Sequence, residues 1–337
     1  MALQSSGSIS LNEIHIEAGG TTGTVASLNN SDIRGLIDKG AGLEMSMSEW
    51  YGASNTFSFS ITSNTQEANL SNLATAAGWD GSAALACTIN SNVYVWSDNT
   101  ATPALLINVE GATVTNNGYI IGKGGTGGAS ENVGAAGGPA ITIDVSLSFG
   151  SENSNVTIVN SSGAYIAGGG GGGGSGNGGT PVSQGGGGAG GGAGGDGGNP
   201  SPGSASSSYV LGGGQQPDTT IPGAQAGGIG GPHKYDENSY PSQSGGRVLP
   251  GTASPSGSHL FETGGGDQRT FYWVGGGGAS SAGQSATVIG QGGGGGGWGA
   301  SGGTGRNSRA GGVGGAAIFD NELNYALTNN GTIYGNT

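Results

Sequence analysis

Hydrophobic and polar positions alternate in short runs through the first 165 residues, then give way to segments with almost no side chains. Ile9-Ser10-Leu11-Asn12-Glu13-Ile14-His15-Ile16 alternates briefly, which predicts a strand. Ser31 to Asp38 predicts a short helix with an acidic first turn and a stop at Gly40. Ser48-Glu49-Trp50-Tyr51-Gly52 then leads into a polar linker. Thr56-Phe57-Ser58-Phe59-Ser60-Ile61 alternates strictly and predicts a strand with both phenylalanines on one face. Asn72 to Ala77 reads as one or two helical turns before Gly78. Thr88-Ile89-Asn90 and Val93-Tyr94-Val95-Trp96 flank a turn at Ser91-Asn92, and Leu105 to Val109 is a further strand. Aromatic and β-branched enrichment supports strands throughout this stretch.

An internal repeat follows. Val114-Thr115-Asn116-Asn117-Gly118-Tyr119-Ile120-Ile121-Gly122 recurs from Ile158 to Gly168 and again from Leu327 to Gly335. Each copy reads as strand, Asn-Gly-type turn, strand, the pattern of a hairpin. Unequal spacing predicts neighbouring strands of one assembly with long insertions between them, rather than a regular solenoid. The first two copies run directly into glycine tracts at Gly122–Gly128 and Gly168–Gly179.

Glycine composition divides the chain. Of 81 glycines, 22 lie in residues 1–165 and 57 in residues 166–315, so the second half cannot be built around an apolar core. A flexible linker is one reading of such tracts. The other is a bundle of polyproline-II-type glycine strands. These have three residues per turn and outward-pointing N–H and C=O groups that neighbouring strands satisfy. Glycine alone lets backbones approach closely enough, and inter-strand hydrogen bonds must offset its large ordering entropy. Non-glycine residues keep a spacing of three at Ala193, Asp196 and Asn199, and at Trp298, Ser301 and Thr304. Gly168–Gly174 would span roughly 22 Å in this geometry. The expected fold is therefore mainly β with little helix: small β-rich leading modules, then a polyglycine-II bundle with long end loops. Three segments are expected, namely an attachment module at 1–55, a β-rich neck at 56–110, and a glycine-rich domain at 111–337 closed by a C-terminal strand.

Charge and motifs exclude more than they select. Eight basic residues and a net charge of −13 make a poor phosphate binder, so no nucleic-acid partner is expected. No apolar run reaches the roughly 18 residues of a membrane span, and MALQSSGSIS is not a signal peptide. A single cysteine, Cys87, excludes a disulfide framework. G-x-G-x-x-G matches are trivial in glycine-rich sequence, and His15, His233 and His259 lack metal-ligand spacing. Asp196, Asp218, Asp236, Glu237, Glu262 and Asp267 read as solvated loop charge rather than a catalytic pair. No catalytic residue, metal or cofactor is expected.

Asn117-Gly118-Tyr119-Ile120-Ile121-Gly122-Lys123-Gly124-Gly125-Thr126-Gly127-Gly128, and Tyr165-Ile166-Ala167 followed by seven glycines, resemble the entry to the glycine-rich domain of tail-fibre tip adhesins from T-even-like bacteriophages. The resemblance covers about residues 111–337. It implies a sandwich of polyglycine-II helices whose distal loops bind a bacterial surface receptor, protein or glycan. Residues 1–110 depart from that family's usual leading domain. Ser8 to Ile14 and Ser48 to Gly52 resemble leading segments of other phage tail proteins, which implies a virion location and other tail proteins as partners. A homo-oligomer is left open.

Aromatics concentrate in the spacers between tracts. Phe271-Tyr272-Trp273 cannot all point inward, and rigid Tyr and Trp on Gly/Ser/Asn loops have the composition of a recognition surface. Tyr209, Tyr235, Tyr240, Phe261, Phe271, Tyr272 and Trp273 are the expected receptor anchors, with Arg247 and Arg269 as bidentate donors to acidic groups. Trp298 is expected to cover the bundle. Ile14, Ile16, Trp50 and Tyr51 are the expected exposed apolar contacts of the attachment module. The expected function is a receptor-binding tail-fibre or tail-tip adhesin. The alternative is a structural tail component without receptor contact; an ice-binding protein and a depolymerase rank lower.

Overall fold

The computed structural model describes residues 3–37, 39–53, 55–81, 83–129, 132–145, 153–176, 281–287, 292–306 and 309–337. It also describes Gly191, Gly277 and the backbone of five short strands between 209 and 273. Contacts divide the chain into two compact units, Met1–Ser58 with Thr75–Ala86, and Phe59–Ala74 with Cys87–Thr337.

The first unit is organised by local capping. The stretch 9–16, expected as a strand, is helical from Leu11 onward: α1 spans Leu11–Glu17, with Ser10 as its N-cap. Ser10 Oγ accepts the Glu13 N–H at 3.2 Å, while the Glu13 carboxylate accepts the Ser10 N–H at 2.7 Å. This reciprocal cap satisfies two helix-end donors and outweighs the short alternation. It also holds the Glu13 carboxyl below its usual range. A second such cap, Ser46 with Glu49, opens the 3₁₀ turn Met47–Trp50. Helix α2 covers only Ser31–Gly35. Gly40, the expected stop, instead accepts from the guanidinium of buried Arg34, which also donates to Leu43 O and Asn29 Oδ1. Leu3, Ile14, Ile33 and Trp50 form the core, and Trp50 Nε1 donates to the Ile33 carbonyl at 3.2 Å.

The strands, which lie in the second unit except for residues 56–58 and 84–86, wind as a three-sided solenoid. Its first turn is β1 (Thr56–Ile61), β2 (Thr65–Gln66) and β3 (Ala68–Asn69), followed by helix α3 (Leu70–Ala76). The second turn is β4 (Ala84–Ile89), β5 (Tyr94–Trp96) and β6 (Leu105–Ile107). The third is β7 (Thr113–Asn116), β8 (Tyr119–Ile121) and β9 (Ile141–Ile143). The fourth has β10 (Asn153–Asn160) and β11 (Tyr165–Ala167). A long insertion follows, carrying β12 (Tyr209–Val210), β13 (His233–Tyr235), β14 (Asn238–Tyr240), β15 (Gly257–Glu262) and β16 (Gln268–Trp273). Strand β17 (Ile318–Phe319) completes that turn, and β18 (Asn324–Asn329) and β19 (Thr332–Tyr334) make the last. Like strands stack into three sheets, ordered β1-β4-β7-β10-β18, β2-β5-β8-β11-β19 and β3-β6-β9-β17.

The three repeat copies are therefore not hairpins. Their first strands pair in parallel with one another, and so do their second strands: Ile158 faces Val114 and Leu327, while Ile166 faces Ile120 and Ile333. The Asn-Gly corner turns the chain from one sheet to the next. The stack is a solenoid whose regularity is hidden in the sequence by its insertions.

Stacking puts Asn116, Asn160 and Asn329 in one column. Asn116 Nδ2 donates to Asn160 Oδ1 and Asn160 Nδ2 to Asn329 Oδ1, each at 2.9 Å. Their oxygens also take backbone N–H groups at the corner: Asn116 from Gly118 and Asn329 from Gly331. Asn160 is fully buried. Asn160→Ala should lower stability by about 2 kcal/mol, because it takes an acceptor from the buried Asn116 amide and breaks the link to Asn329 at the exposed end of the column. A denaturant midpoint unchanged from the parent would show the column to be dispensable.

Candidate functional site

Two insertions leave the solenoid at the same corner, after β8 and after β11, and both begin as glycine tracts. The pairing of those strands continues into the tracts. The N–H groups of Gly122, Gly125 and Gly128 donate to the carbonyls of Ala167, Gly170 and Gly173 at 2.8–2.9 Å. On a second side of the central tract, Gly169, Gly172 and Ser175 donate to Gly138, Ala135 and Asn132. On a third, Gly168, Gly171 and Gly174 donate to Tyr334, Ala300 and Gly303. The central carbonyls are equally used: those of Gly168, Gly171 and Gly174 accept from Gly299, Gly296 and Gly293, and those of Gly169 and Gly172 from Gly315 and Gly312. Every series advances by three residues, so successive groups of this tract point to different neighbours.

Residues 168–176 are buried although almost none carries a side chain. Glycine is required here by contact. A Cβ on Gly168, Gly171 or Gly174 would collide with the carbonyl oxygen of Gly315, Gly312 or Arg309. On Gly169 or Gly172 it would meet that of Lys123 or Thr126, and on Gly170 or Gly173 that of Gly296 or Gly293. The ordering entropy of glycine is offset by satisfied backbone groups rather than by apolar burial.

At the solenoid end of this lattice Trp298 is fully buried against Ile121 and Ala167, with Tyr165 and Tyr334 beside it. Its ring lies edge-on to Tyr165, centroids 6.2 Å apart. Trp298 covers the junction, the role its position between glycines suggested. At the opposite end the tracts turn back. Asn132 N–H donates to the Ala129 carbonyl, and Gly305 N–H donates to Arg309 across a turn that exposes Arg306. The chain also passes Ser175 and Gly176 at this end. It is tied in again at Gly277, whose N–H donates to the Gly295 carbonyl at 2.8 Å.

The span between those two ties holds the expected receptor anchors. Arg247 lies outside the described residues. Tyr209, Tyr235, Tyr240, Phe261, Arg269, Phe271, Tyr272 and Trp273 lie on strands described by their backbone alone. Strand β12 pairs antiparallel with β13, β13 with β14, and β15 with β16. These pairings bring Phe261 opposite Arg269 and Ser258 opposite Tyr272. Asp196, Asp218, Asp236, Glu237 and Asp267 also lie outside the described residues.

In the first unit, two of the four expected contact residues are core instead. Ile14 and Trp50 are fully buried, because α1 and the 3₁₀ turn point them at Ile33. Ile16 and Tyr51 stay at the surface, 43% and 36% exposed. An open groove of about 510 Å³ in this unit is lined by Asp32, Leu36, Asn55, Phe57 and Asp80 among others. Burial pushes the Cys87 thiol up to about 12, which removes it as a nucleophile at neutral pH. Among the described residues no cluster of His, Cys, Asp or Glu could hold a metal, and no helix is long and apolar enough to cross a membrane.

Residues 56–236, more than half the chain, match the family model "Phage tail fibre adhesin Gp38". The chain belongs to the phage tail-fibre adhesin Gp38 family. The match begins at residue 56, so the β-rich stretch 56–110 lies inside the family's span rather than outside it. Among solved structures the chain is similar to the gp37–gp38 adhesin tip complex of the bacteriophage S16 long tail fibre, at 17% identity and a TM-score of 0.40, covering 99% of each chain. No curated protein matches the sequence. The residues that sequence reasoning missed are the Asn116–Asn160–Asn329 column and the stacked Tyr94, Tyr119 and Tyr165, whose rings are 4.5 and 5.3 Å apart. Aligning the repeat copies places Asn116 over Asn160 and Tyr119 over Tyr165, a signal that was present.

Proposed function

We propose that this adhesin recognises a bacterial surface receptor through the segments between about Pro200 and Val274, held on a platform of polyglycine-II helices, and has no catalytic activity. The observation that carries the reading is the central tract. Gly168–Ser175 is hydrogen-bonded to neighbouring tracts in steps of three, the lattice that a helix of three residues per turn requires. Such a base is stiff, and it secures both ends of a long aromatic-rich span at Ser175 and Gly277. Preorganisation of this kind lowers the entropy cost of binding. The exposed turn at Arg306 is a further contact on the same platform. The protein works on the virion, at the distal fibre or tail tip, and several copies per particle strengthen individually reversible contacts.

Residues 1–55 are the attachment module, joining another tail protein through surface residues that include Ile16 and Tyr51. Ile16→Lys with Tyr51→Ala should leave the fold and cell binding intact while particles lose the protein. Normal incorporation of this variant into virions would place the attachment surface elsewhere. Recognition itself is tested by replacing residues 200–274 with a short Gly/Ser link. The product should keep its solenoid and lose adsorption to the host. Full adsorption would favour a structural tail component whose receptor contacts, if any, lie outside this span.

A further inference from the structure

We propose a saccharide site on the solenoid itself, a ledge formed by Tyr94, Trp96, Asn64 and Gln66 that takes a neutral sugar. On β5 the burial alternates, with Val95 inward and Tyr94 and Trp96 half-exposed on the outer face of the second sheet. One ring face of Tyr94 is covered by Tyr119, whose ring lies 4.5 Å away and nearly parallel. On the other side the stack stops. Strand β2 is the edge of that sheet and has two residues, pairing Thr65 with Val95 and Gln66 with Trp96. The neighbours beneath the two aromatics are therefore Asn64 and Gln66, both exposed and neither a ring. The aromatic column ends in a step.

The polar groups at this step suit a sugar. Asn64 Oδ1 accepts the Tyr94 N–H at 3.0 Å, which pins an exposed carboxamide beside Tyr94. Gln66 supplies a carboxamide and Trp96 an indole N–H. A pyranose presents an apolar C–H face, which an aromatic ring accepts, and a rim of hydroxyls, which amide donors and acceptors satisfy in pairs. Asn64, Gln66, Tyr94 and Trp96 are uncharged, Glu67 follows directly in sequence, and the chain carries a net charge of −13, so a neutral sugar fits and an anionic one is repelled. The proposal is independent of the receptor-loop reading, because none of its residues lies in residues 200–274.

The test is titration of the full chain, followed by NMR saturation transfer, with methyl glycosides and disaccharides of glucose, galactose and N-acetylglucosamine, and with sialic acid as the anionic probe. At least one neutral sugar should bind with a Kd on the order of 1 mM. Trp96→Ala should weaken it by about tenfold or more. Gln66→Ala, a surface change that spares the fold, should weaken it several-fold. Phe319→Ala, on the solenoid away from this ledge, should leave it unchanged. Absence of binding by every neutral sugar, equal binding by sialic acid, or undiminished binding in both Gln66→Ala and Trp96→Ala would overturn the assignment.

Discussion

Gly171→Val is expected to lower stability by about 4 kcal/mol or more, or to prevent folding of the glycine-rich half altogether. The Cβ points at the Gly312 carbonyl. Gly171 also donates to Ala300 and accepts from Gly296, so it cannot shift away without breaking bonds on two other sides. Overpacking in ordinary cores costs about 1–3 kcal/mol because side chains give way; here the obstacle is backbone, and the added branches of valine meet it too. A loss of this size lowers Tm by on the order of 10 °C in a domain of this length. Gly40→Ala is the control, since nothing lies within reach of a Cβ there and its φ is ordinary. Differential scanning calorimetry decides the case. A Tm for Gly171→Val within a degree or two of the parent would mean that the tract is not packed.

Tyr272→Ala with Trp273→Ala is expected to reduce host-cell binding by about thirtyfold or more while leaving Tm unchanged. Large rigid aromatics supply contact area at low entropy cost, and a true anchor contributes about 2 kcal/mol or more on truncation. A factor of about thirty corresponds to that value. Phe319→Ala, which removes a 51% exposed ring from the solenoid, should bind like the parent. The contrast with Gly171→Val matters. A platform variant should lose stability and binding together, whereas an anchor variant should lose binding alone. Binding by the double variant at the parent's level would move the recognition site out of β16.

Much of this architecture was legible in the sequence. Thr56–Ile61 is a strand because two phenylalanines alternate with serines over six residues. The glycine tracts announced close backbone packing because no other residue tolerates it. Ile9–Ile16 misled, since a brief alternation also fits a short helix. Ser10 and Glu13, a cap pair three residues apart, carried the better signal. The repeats misled for a different reason. An Asn-Gly corner suits a hairpin, but each strand's partner is the equivalent strand 44 or more residues away, and the insertions conceal that spacing. Ile14 and Trp50 show a further boundary: an apolar residue in a small module reads the same whether it faces a partner or its own core.

Competition between purified protein and the phage that carries it, for adsorption to the host bacterium, tests the central claim most directly. The intact chain should bind host cells saturably and block adsorption, whereas the chain with residues 200–274 replaced should stay folded and block nothing. Intact, folded protein that neither binds the host nor slows adsorption would contradict the account and leave the glycine lattice as a structural part of the tail.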